Sequence, residues 1–394
     1  MTLVHTQRLI AFTLAVFLLF SVNSCGNETG DESQNRISEK PVEIEGLVFS
    51  ERADSQYADQ FAIDRYDGGY SLIQVADGTG YLIVPENGKI PKGISKKIKI
   101  IKKPVGNIYL AATASMAMFD ALGCGDRVKF SGTKIEDWYI PYAREAMENG
   151  DILYAGKYRE PDYELLVSDG CKLSVQSTMI EHNPEVKEKL EELGITVFVD
   201  YSSYESHPLG RCEWIKVYGE LTDNRELAEQ LFQKQSEILD TIGEQPDTGK
   251  TVAFFYISSS GQAVTRKSGD YVNKMIGLAG GSNIFKDLDN GSGTSAIQME
   301  MEKFYATAKD ADIIIYNNNI GKDVKSLDDL ISKNSFIADF KAVRNGDVWC
   351  TGQNLFQETM KIGEIISDFH LIFSGEYKDN PPKYLYRLEG GAEN

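Results

Sequence analysis

Histidine is scarce in this sequence, and the common catalytic motifs are missing from it. Four of the 394 residues are histidine (His5, His182, His207 and His370), and their spacing fits no metal site. There is no G-x-S-x-G elbow and no H-E-x-x-H motif. Residues 243–251 resemble a phosphate-binding loop, but the loop is one residue too long and precedes a predicted strand. We therefore expect no catalytic residues, no metal site and no cofactor; an exported enzyme on a doubly wound fold is the alternative.

Basic residues are also fewer than acidic ones. The chain has 41 lysines and arginines against 59 aspartates and glutamates, a formal net charge of −18. A field of this sign repels nucleic acid and acidic lipid surfaces, so we expect no nucleic-acid partner. An anionic small ligand stays possible, because one pocket can be locally basic.

No hydrophobic run is long enough to cross a membrane. Residues 9–20 form an apolar stretch of 12 residues after Arg8. As a helix it would rise about 18 Å, short of the ~30 Å hydrocarbon core. Small polar residues and Cys25 follow, so we interpret residues 1–24 as a signal peptide.

The residues before Cys25 resemble the bacterial lipobox. The sequence there is Val22-Asn23-Ser24-Cys25. The resemblance implies a lipid on Cys25, with residues 25–41 as a flexible tether, and the alternative is a plain secretory signal with an incidental cysteine. We therefore expect an exported protein, anchored by lipid to a bacterial cell membrane and facing the periplasm or the exterior.

Cysteines are few, and their spacing matches no C-x-x-C pattern. Beyond Cys25 the chain has Cys124, Cys171, Cys212 and Cys350. Buried thiols are the default interpretation. Because export implies an oxidising compartment, a Cys124–Cys171 disulfide is the alternative.

Residues 42–104 predict a β-rich extension. Two β-branched and aromatic runs, 70–75 and 81–84, flank a glycine-rich turn, which is typical of a hairpin. The lysine-rich segment 96–103 alternates with isoleucine and predicts an edge strand with its lysines outward.

From residue 105 onward, predicted strands and helices alternate. This pattern indicates parallel sheets covered on both faces. Residues 225–242 carry apolar side chains at helical spacing over about five turns. The predicted fold is α/β, with two Rossmann-like lobes (105–222 and 246–394) joined by a single long helix (223–245) after the β-rich extension. Ligands of such sheets bind beyond the carboxyl ends of the strands, so we expect a site between the lobes.

Three stretches of the chain are similar to a known family. Residues 207–216 read H-P-L-G-R-C-E-W-I-K, residues 280–285 read G-G-S-N-I-F, and residues 161–166 read P-D-Y-E-L-L. Over residues 105–375 the sequence resembles solute-binding lipoproteins of ABC transporters for iron-siderophores, haem and vitamin B12. The resemblance implies a monomer with two rigid lobes, which holds a metal chelate in the cleft and delivers it to a permease and its ATPase.

The same resemblance implies one docking glutamate per lobe. By position these are Glu164 and Glu302, with Glu300 as the alternative to Glu302. Two distant carboxylates would fix the orientation of a basic partner. A favourable carboxylate in the first turn of a helix would explain Glu164 equally well.

Candidate ligand contacts lie in loops at the predicted strand ends. Aromatic rings would contact a bulky chelate, and arginines would pair with its anionic groups, although an interlobe salt bridge explains Arg211 as well. The candidates are Thr113, Trp138, Tyr139, Tyr158, Gln176, Arg211, Ser259, Arg266, Asn354, Phe356 and Gln357.

Among chelates an iron-siderophore is the first expectation, then haem or a corrinoid. Two residues of the B12 pocket fall on Ser177 and Glu358, which speaks against a corrinoid. A surface adhesion lipoprotein that binds through its extension is the remaining alternative.

Overall fold

The computed structural model describes residues 37–288, 295–321 and 324–390. The predicted signal peptide, Cys25 and most of the predicted tether lie outside the described residues. Residues Asn35–Asn394 form one compact unit. Within the described ranges, no helix combines the length and the apolar character that a membrane crossing requires.

The extension is a five-stranded sheet with strands in chain order. The first four strands are antiparallel and the fifth runs parallel to the fourth. The strands are β1 (Phe49–Arg52), β2 (Phe61–Tyr66), β3 (Tyr70–Val75), β4 (Gly80–Val84) and β5 (Ile98–Lys102). The predicted hairpin is present as β3 and β4, and β5 lies at the predicted edge. Lys103 differs from the expectation of outward lysines, because it is buried and its Nζ lies 2.5 Å from Asp223 Oδ1.

The first lobe is built on a parallel five-stranded sheet in the order β12-β11-β6-β7-β8. Two further short strands, β9 and β10, form a small antiparallel pair. In chain order the elements are β6 (Ile108–Leu110), α1 (Met116–Ala121), β7 (Val128–Ser131), α2 (Pro141–Glu148), β8 (Leu153–Tyr154), β9 (Gly156–Lys157), β10 (Glu160–Pro161), α3 (Tyr163–Ser168), β11 (Leu173–Ser177), α4 (Pro184–Glu192), β12 (Thr196–Asp200), α5 (Pro208–Glu213) and α6 (Ile215–Thr222).

A single long helix, α7 (Arg225–Gly243), follows the first lobe as predicted. Its buried positions include Ala228, Phe232 and Leu239, which share one face at helical spacing. At Gly219 of α6, a Cβ would lie 2.7 Å from the Cβ of Ala228. Glycine at this position therefore lets α6 and α7 pack closely.

The second lobe contains a mixed sheet in the order β16-β14-β13-β17-β18-β19, with β15 also paired to β13. Strands β13, β15, β17 and β18 are parallel, whereas β14, β16 and β19 are antiparallel to their neighbours. In chain order the elements are β13 (Lys250–Ile257), β14 (Ala263–Arg266), α8 (Tyr271–Leu278), β15 (Gly281–Asn283), β16 (Ala296–Met299), α9 (Met301–Ala308), β17 (Ile313–Tyr316), α10 (Asn318–Gly321), α11 (Leu327–Lys333), α12 (Lys341–Asn345), β18 (Val348–Thr351), α13 (Ile362–Ser374) and β19 (Leu385–Arg387).

The extension and the first lobe share one hydrophobic core. Phe61 and Tyr81 of the extension belong to the same buried cluster as Phe198 and Trp214 of the first lobe. Phe61 packs edge-on against Trp214, with ring centroids 5.2 Å apart. The extension is therefore part of the folded body.

The four cysteines of the described residues are buried and unpaired. The default interpretation is confirmed and the Cys124–Cys171 alternative is wrong. Burial raises the pKa of the Cys171 thiol to about 11. These thiols therefore pack as small apolar side chains.

Candidate functional site

A cavity of about 400 Å³ lies between the two lobes. It is bounded by a 3₁₀ turn after β12 (Ser202–Tyr204), by α5, by the end of β14, by the start of α8 and by α13. The first lobe contributes Ala114, Ser202, Ser203 and Arg211; the rest of the lining is Arg266, Asp270, Tyr271, Met275, Ser295, Ile320, Leu355, Phe356, Thr359, Ile362 and Ile365. Its first-lobe wall therefore lies beyond the carboxyl end of a parallel strand, as expected.

Arg211 reaches the cavity from the first lobe and contacts the second. Its guanidinium carbon lies 3.7 Å from the centroid of the Tyr271 ring, a cation–π contact across the lobes. Its Nη2 donates to the carbonyl of Ser203 at 2.6 Å. Its Nε is buried and has no hydrogen-bond partner among the described residues. Within those residues Arg211 forms no ion pair, so a stacked guanidinium replaces the interlobe salt bridge considered above.

Arg266 faces the same cavity from the last position of β14, with 8% of its surface exposed. Its Nη1 lies 3.8 Å from Asp270 Oδ2 and donates to Ser295 Oγ at 3.4 Å. Its guanidinium carbon lies 5.3 Å from the centroid of the Phe356 ring. The two arginines are thus each placed against an aromatic face.

Asp270 is the one carboxylate among the described lining residues. Its side chain caps α8 by accepting a hydrogen bond from the amide of Val272 at 2.9 Å. Burial raises the pKa of Asp270, and the charges of Arg266 and Arg211 oppose that shift. Two guanidiniums against one carboxylate give the cavity a local excess of positive charge in an acidic protein.

The remaining wall is largely apolar. Met275, Leu355, Ile362 and Ile365 line it together with the ring of Phe356. A cationic end beside an apolar wall suits a ligand that combines anionic groups with a bulky apolar body.

Three of the predicted ligand contacts line this cavity: Arg211, Arg266 and Phe356. Two others lie in the core. Trp138 has no exposed surface, and its indole Nε1 donates to Ser131 Oγ at 3.0 Å. Gln176 has no exposed surface either, and its Nε2 donates to Ser174 Oγ at 2.8 Å. Their burial removes both from the cavity wall.

Two further candidates bind each other across the lobes. The amide of Tyr139 donates to Gln357 Oε1 at 2.9 Å, and Gln357 Nε2 donates to the carbonyl of Asp137 at 2.8 Å. The Tyr139 hydroxyl donates to Gln353 Oε1 at 2.9 Å. In this structure Tyr139 and Gln357 therefore form an interlobe bridge.

The last four candidates are not among the described residues that line the cavity. Thr113 shares a hydrogen bond with Thr133, their hydroxyl oxygens being 3.0 Å apart, while its neighbour Ala114 lines the wall. Asn354 Nδ2 donates to Glu358 Oε1 at 2.8 Å. Tyr158 lies in the turn between β9 and β10, and Ser259 is exposed beside a separate, open groove.

Sequence reasoning missed several lining residues. Ser202 and Ser203 lie two and three residues beyond the carboxyl end of β12, so the strand-end rule could have identified them. Asp270 precedes an apolar helical pattern, a typical N-cap signal. Ile365 lies inside α13, and no sequence signal separates the cavity-facing side of that helix from its core side.

The two predicted docking glutamates are exposed and occupy first helical turns. Glu164 lies in α3, where Asp162 caps the helix by accepting from the amide of Leu165 at 3.0 Å. Glu302 lies in α9. The alternative, Glu300, is exposed and accepts a hydrogen bond from Gln262. The placement leaves both interpretations of Glu164 open.

Comparison with known proteins agrees with this architecture. The family model for periplasmic binding proteins matches residues 110–355. The uncharacterized lipoprotein MJ0878 of Methanocaldococcus jannaschii is 25% identical over 357 residues, covering 86% of this chain and 84% of that protein. A match of that length reaches into the N-terminal extension, which lies outside the family model.

Solved structures share the fold. The periplasmic haem-binding protein HutB of Vibrio cholerae superposes with a TM-score of 0.54 at 18% identity, covering 66% of this chain and 96% of HutB. A protein of an ABC-type Fe³⁺-hydroxamate transport system from Saccharomonospora viridis gives a TM-score of 0.51 at 18% identity, covering 68% and 92%. The predicted two-lobed α/β fold is confirmed. Because the family model spans more than half of the sequence, the chain belongs to the periplasmic binding protein family.

Proposed function

We propose that this protein is the substrate-binding lipoprotein of an ABC importer, and that it captures an anionic metal chelate between Arg211 and Arg266. The observation that carries the proposal is the cavity itself, where guanidiniums from opposite lobes face one space with a single carboxylate among the described lining residues. A ferric siderophore is the first candidate, then haem, which HutB binds by its name. A corrinoid is the third.

The guanidiniums are arranged to bind ligand oxygens. An aromatic ring covers one face of each group, so the N–H edges are the parts that can donate. The Nε of Arg211, which has no hydrogen-bond partner among the described residues, supplies one such donor. A charge-assisted hydrogen bond to each arginine would contribute about 1.5–3 kcal/mol.

A ligand held by both lobes would also favour their closed arrangement. Binding shifts an equilibrium between open and closed states only by its difference in affinity for the two. Contacts to Arg211 on one lobe and Arg266 on the other provide such a difference. The exposed Glu164 and Glu302 would then dock the loaded protein on a basic permease surface.

A thermal-shift screen tests the proposal, using ferric siderophores, haem, cobalamin, cobinamide and free metal ions. A ligand at 100 times its Kd adds about 2.7 kcal/mol of apparent stability. We expect a shift with one anionic chelate and none with free ions. A shift with free ions alone would contradict a chelate receptor.

Substitutions locate the site. For the chelate that binds, Arg211→Met and Arg266→Met should each weaken affinity by about 10- to 100-fold, measured by titration calorimetry. The matched control is Arg144→Met, since Arg144 is exposed on α2 and pairs only with Glu148 among the described residues. Equal losses in all three variants would overturn the assignment of the cavity. Arg211→Lys should recover only part of the affinity, because lysine lacks the planar stacked face.

A further inference from the structure

A segment of the extension lies against the helix that carries Arg211. We call residues 54–60 the strap. Buried Glu213 accepts hydrogen bonds from three consecutive strap amides: Gln56 to Oε1, and Tyr57 and Ala58 to Oε2, each at 2.8 Å. The carboxylate of α5 is therefore fully engaged by main-chain donors of the extension.

A second buried carboxylate continues this contact. Glu205 Oε2 accepts from the amide of Asp59 at 2.9 Å, and Oε1 accepts from the amide of Gln60 at 3.0 Å. Oε1 also accepts from the indole Nε1 of Trp214 at 2.8 Å. Together with the contacts of Glu213, all five amides from Gln56 to Gln60 are bound by two side chains, one at the end of α5 and one shortly before its start.

The strap and α5 are in close contact along their length. A Cβ at Gly210 would lie 3.0 Å from the carbonyl oxygen of Tyr57, so glycine permits the approach. The Tyr57 ring stacks on His207, which caps α5, with centroids 4.4 Å apart. Lys216 Nζ lies 3.0 Å from Glu213 Oε1 and donates to the carbonyl of Asp54 at 3.0 Å.

The strap and the cavity contact the same short helix. Arg211 lines the cavity, and Cys212 Sγ lies 3.8 Å from Met360 Sδ, beside the cavity wall. A six-residue helix has little stability of its own, so its position depends on its tertiary contacts. Five main-chain amides of the strap are held by two carboxylates, Glu213 and Glu205, so these two side chains are the main polar anchors between the strap and α5.

We propose that Glu213 and Glu205 are positioning residues, which hold Arg211 in the cavity by tying α5 to the strap. The extension then acts on the binding site without touching the ligand. That Arg211 binds a ligand rests on the proposed function. Whether Glu213 and Glu205 hold Arg211 in position can be tested in the absence of any ligand.

The test uses Glu213→Gln in the exported protein. Glutamine keeps the shape, but its amide nitrogen meets backbone donors instead of accepting from them. The matched control is Glu229→Gln: exposed Glu229 also pairs with Lys216, at 3.1 Å, and among the described residues it forms no hydrogen bond or ion pair with the strap. Modification by phenylglyoxal is followed at Arg211 and Arg266 by peptide mass spectrometry. Labelling of Cys212 and Cys350 by N-ethylmaleimide is followed in parallel.

In Glu213→Gln, Arg211 and Cys212 should react about tenfold faster than in the unmodified sequence, since losing hydrogen bonds to a charged group opens the region locally. Arg266, Cys350 and the Glu229→Gln control should stay within about twofold. Glu213→Asp retains a carboxylate and should restore much of the protection.

Two results would overturn the proposal. An equal rise at Arg211 and Arg266 would mean global destabilisation, and no rise at Arg211 would mean that α5 holds its place without the strap. Failure to find any ligand would weaken the proposed function and leave this measurement unaffected.

Discussion

Replacing Glu220 by glutamine tests whether the extension and the first lobe unfold as one body. The side chain of Glu220 is fully buried, and its two oxygens lie 2.7 Å from Arg65 Nε of the extension and 2.7 Å from Arg225 Nε of α7. Ser71 Oγ also donates to it at 2.7 Å. The carboxylate thus joins three segments of the chain at one point.

The expected loss follows from the burial of the partners. Removing one member of a buried ion pair costs about 3–5 kcal/mol. The side chains of Arg65 and Arg225 are 23% and 35% exposed, so they recover part of their hydration when Glu220 is neutral. We therefore expect Glu220→Gln to lower the free energy of unfolding by about 2–3 kcal/mol.

Urea unfolding, followed by the fluorescence of the three tryptophans, measures this loss. The control is Glu51→Gln, because Glu51 contacts the same Arg65 at 2.7 Å while 60% exposed, and should change stability by less than about 0.5 kcal/mol. We expect one shared transition at a lower midpoint. Equal effects of the two substitutions, or a separate early transition in Glu220→Gln, would refute the reasoning.

Three further predictions concern other parts of the body. Burial raises the pKa of Glu205 from its ordinary value of 4.5 to about 7, so its contribution to stability is complete below about pH 4.5 and is lost as the pH rises through 7. Urea unfolding measured at several pH values between about 5 and 8 should show that the free energy of unfolding declines with pH in the native sequence and not in Glu205→Gln. If the free energy changed with pH equally in both proteins, the prediction would be wrong. Gln357→Leu should raise hydrogen exchange around Tyr139, because the interlobe bridge is lost, whereas Gln353→Leu should change it less; equal exchange would count against the bridge. The four buried thiols should react with a thiol reagent only when the protein is unfolded, and the unfolding is done without reductant. Thiols that still fail to react in the unfolded protein would indicate a disulfide.

The sequence predicted the fold well where periodicity extends over many residues. Helix α7 repeats its apolar positions over five turns, and the strands of the first lobe are short apolar runs between helices, so both are visible without tertiary information. Strands β14 and β16 were missed. Their sequences, AVTR and AIQM, are four residues long and carry no alternation strong enough to separate them from a loop. Strand β14 pairs with β13 and β16 pairs with β14, and such pairing depends on tertiary contacts that local patterns do not encode.

The site was harder to predict because exposure is decided by packing. Trp138 and Gln176 were candidates from their positions near strand ends, yet both are fully buried; Arg211, a candidate for its charge, lines the cavity. Tyr271 was overlooked because the cation–π contact with Arg211 joins elements 60 residues apart in the chain. Residue type and position along the chain thus produced the candidates, and the packing of the lobes decided which of them line the cavity.

The H-P-L-G-R-C-E-W segment (207–214) is one of the three stretches similar to the family, and the structure shows what several of its side chains contact. His207 stacks on Tyr57 of the strap, Arg211 reaches the cavity, Glu213 binds the strap amides and Trp214 fills the shared core. One short segment therefore contacts the extension, the shared core and the cavity. A stacking ring, a guanidinium, a carboxylate acceptor and a large apolar ring are each suited to the contact that they make.

The contacts between the extension and the first lobe affect how to test the alternative function, a surface adhesion lipoprotein that binds through its extension. Deleting residues 42–104 would leave Glu205, Glu213 and Glu220 without the partners that the extension supplies, although their side chains are buried in the intact protein. The deletion would also remove Phe61 and Tyr81 from the core that they share with Phe198 and Trp214, so we expect the truncated body to be strongly destabilised whatever the extension binds. Loss of ligand binding in such a deletion would therefore not place the site in the extension. Substitutions on the exposed surface of the extension, at Val48 or Ile90 for example, separate the two possibilities, because they leave the carboxylates paired.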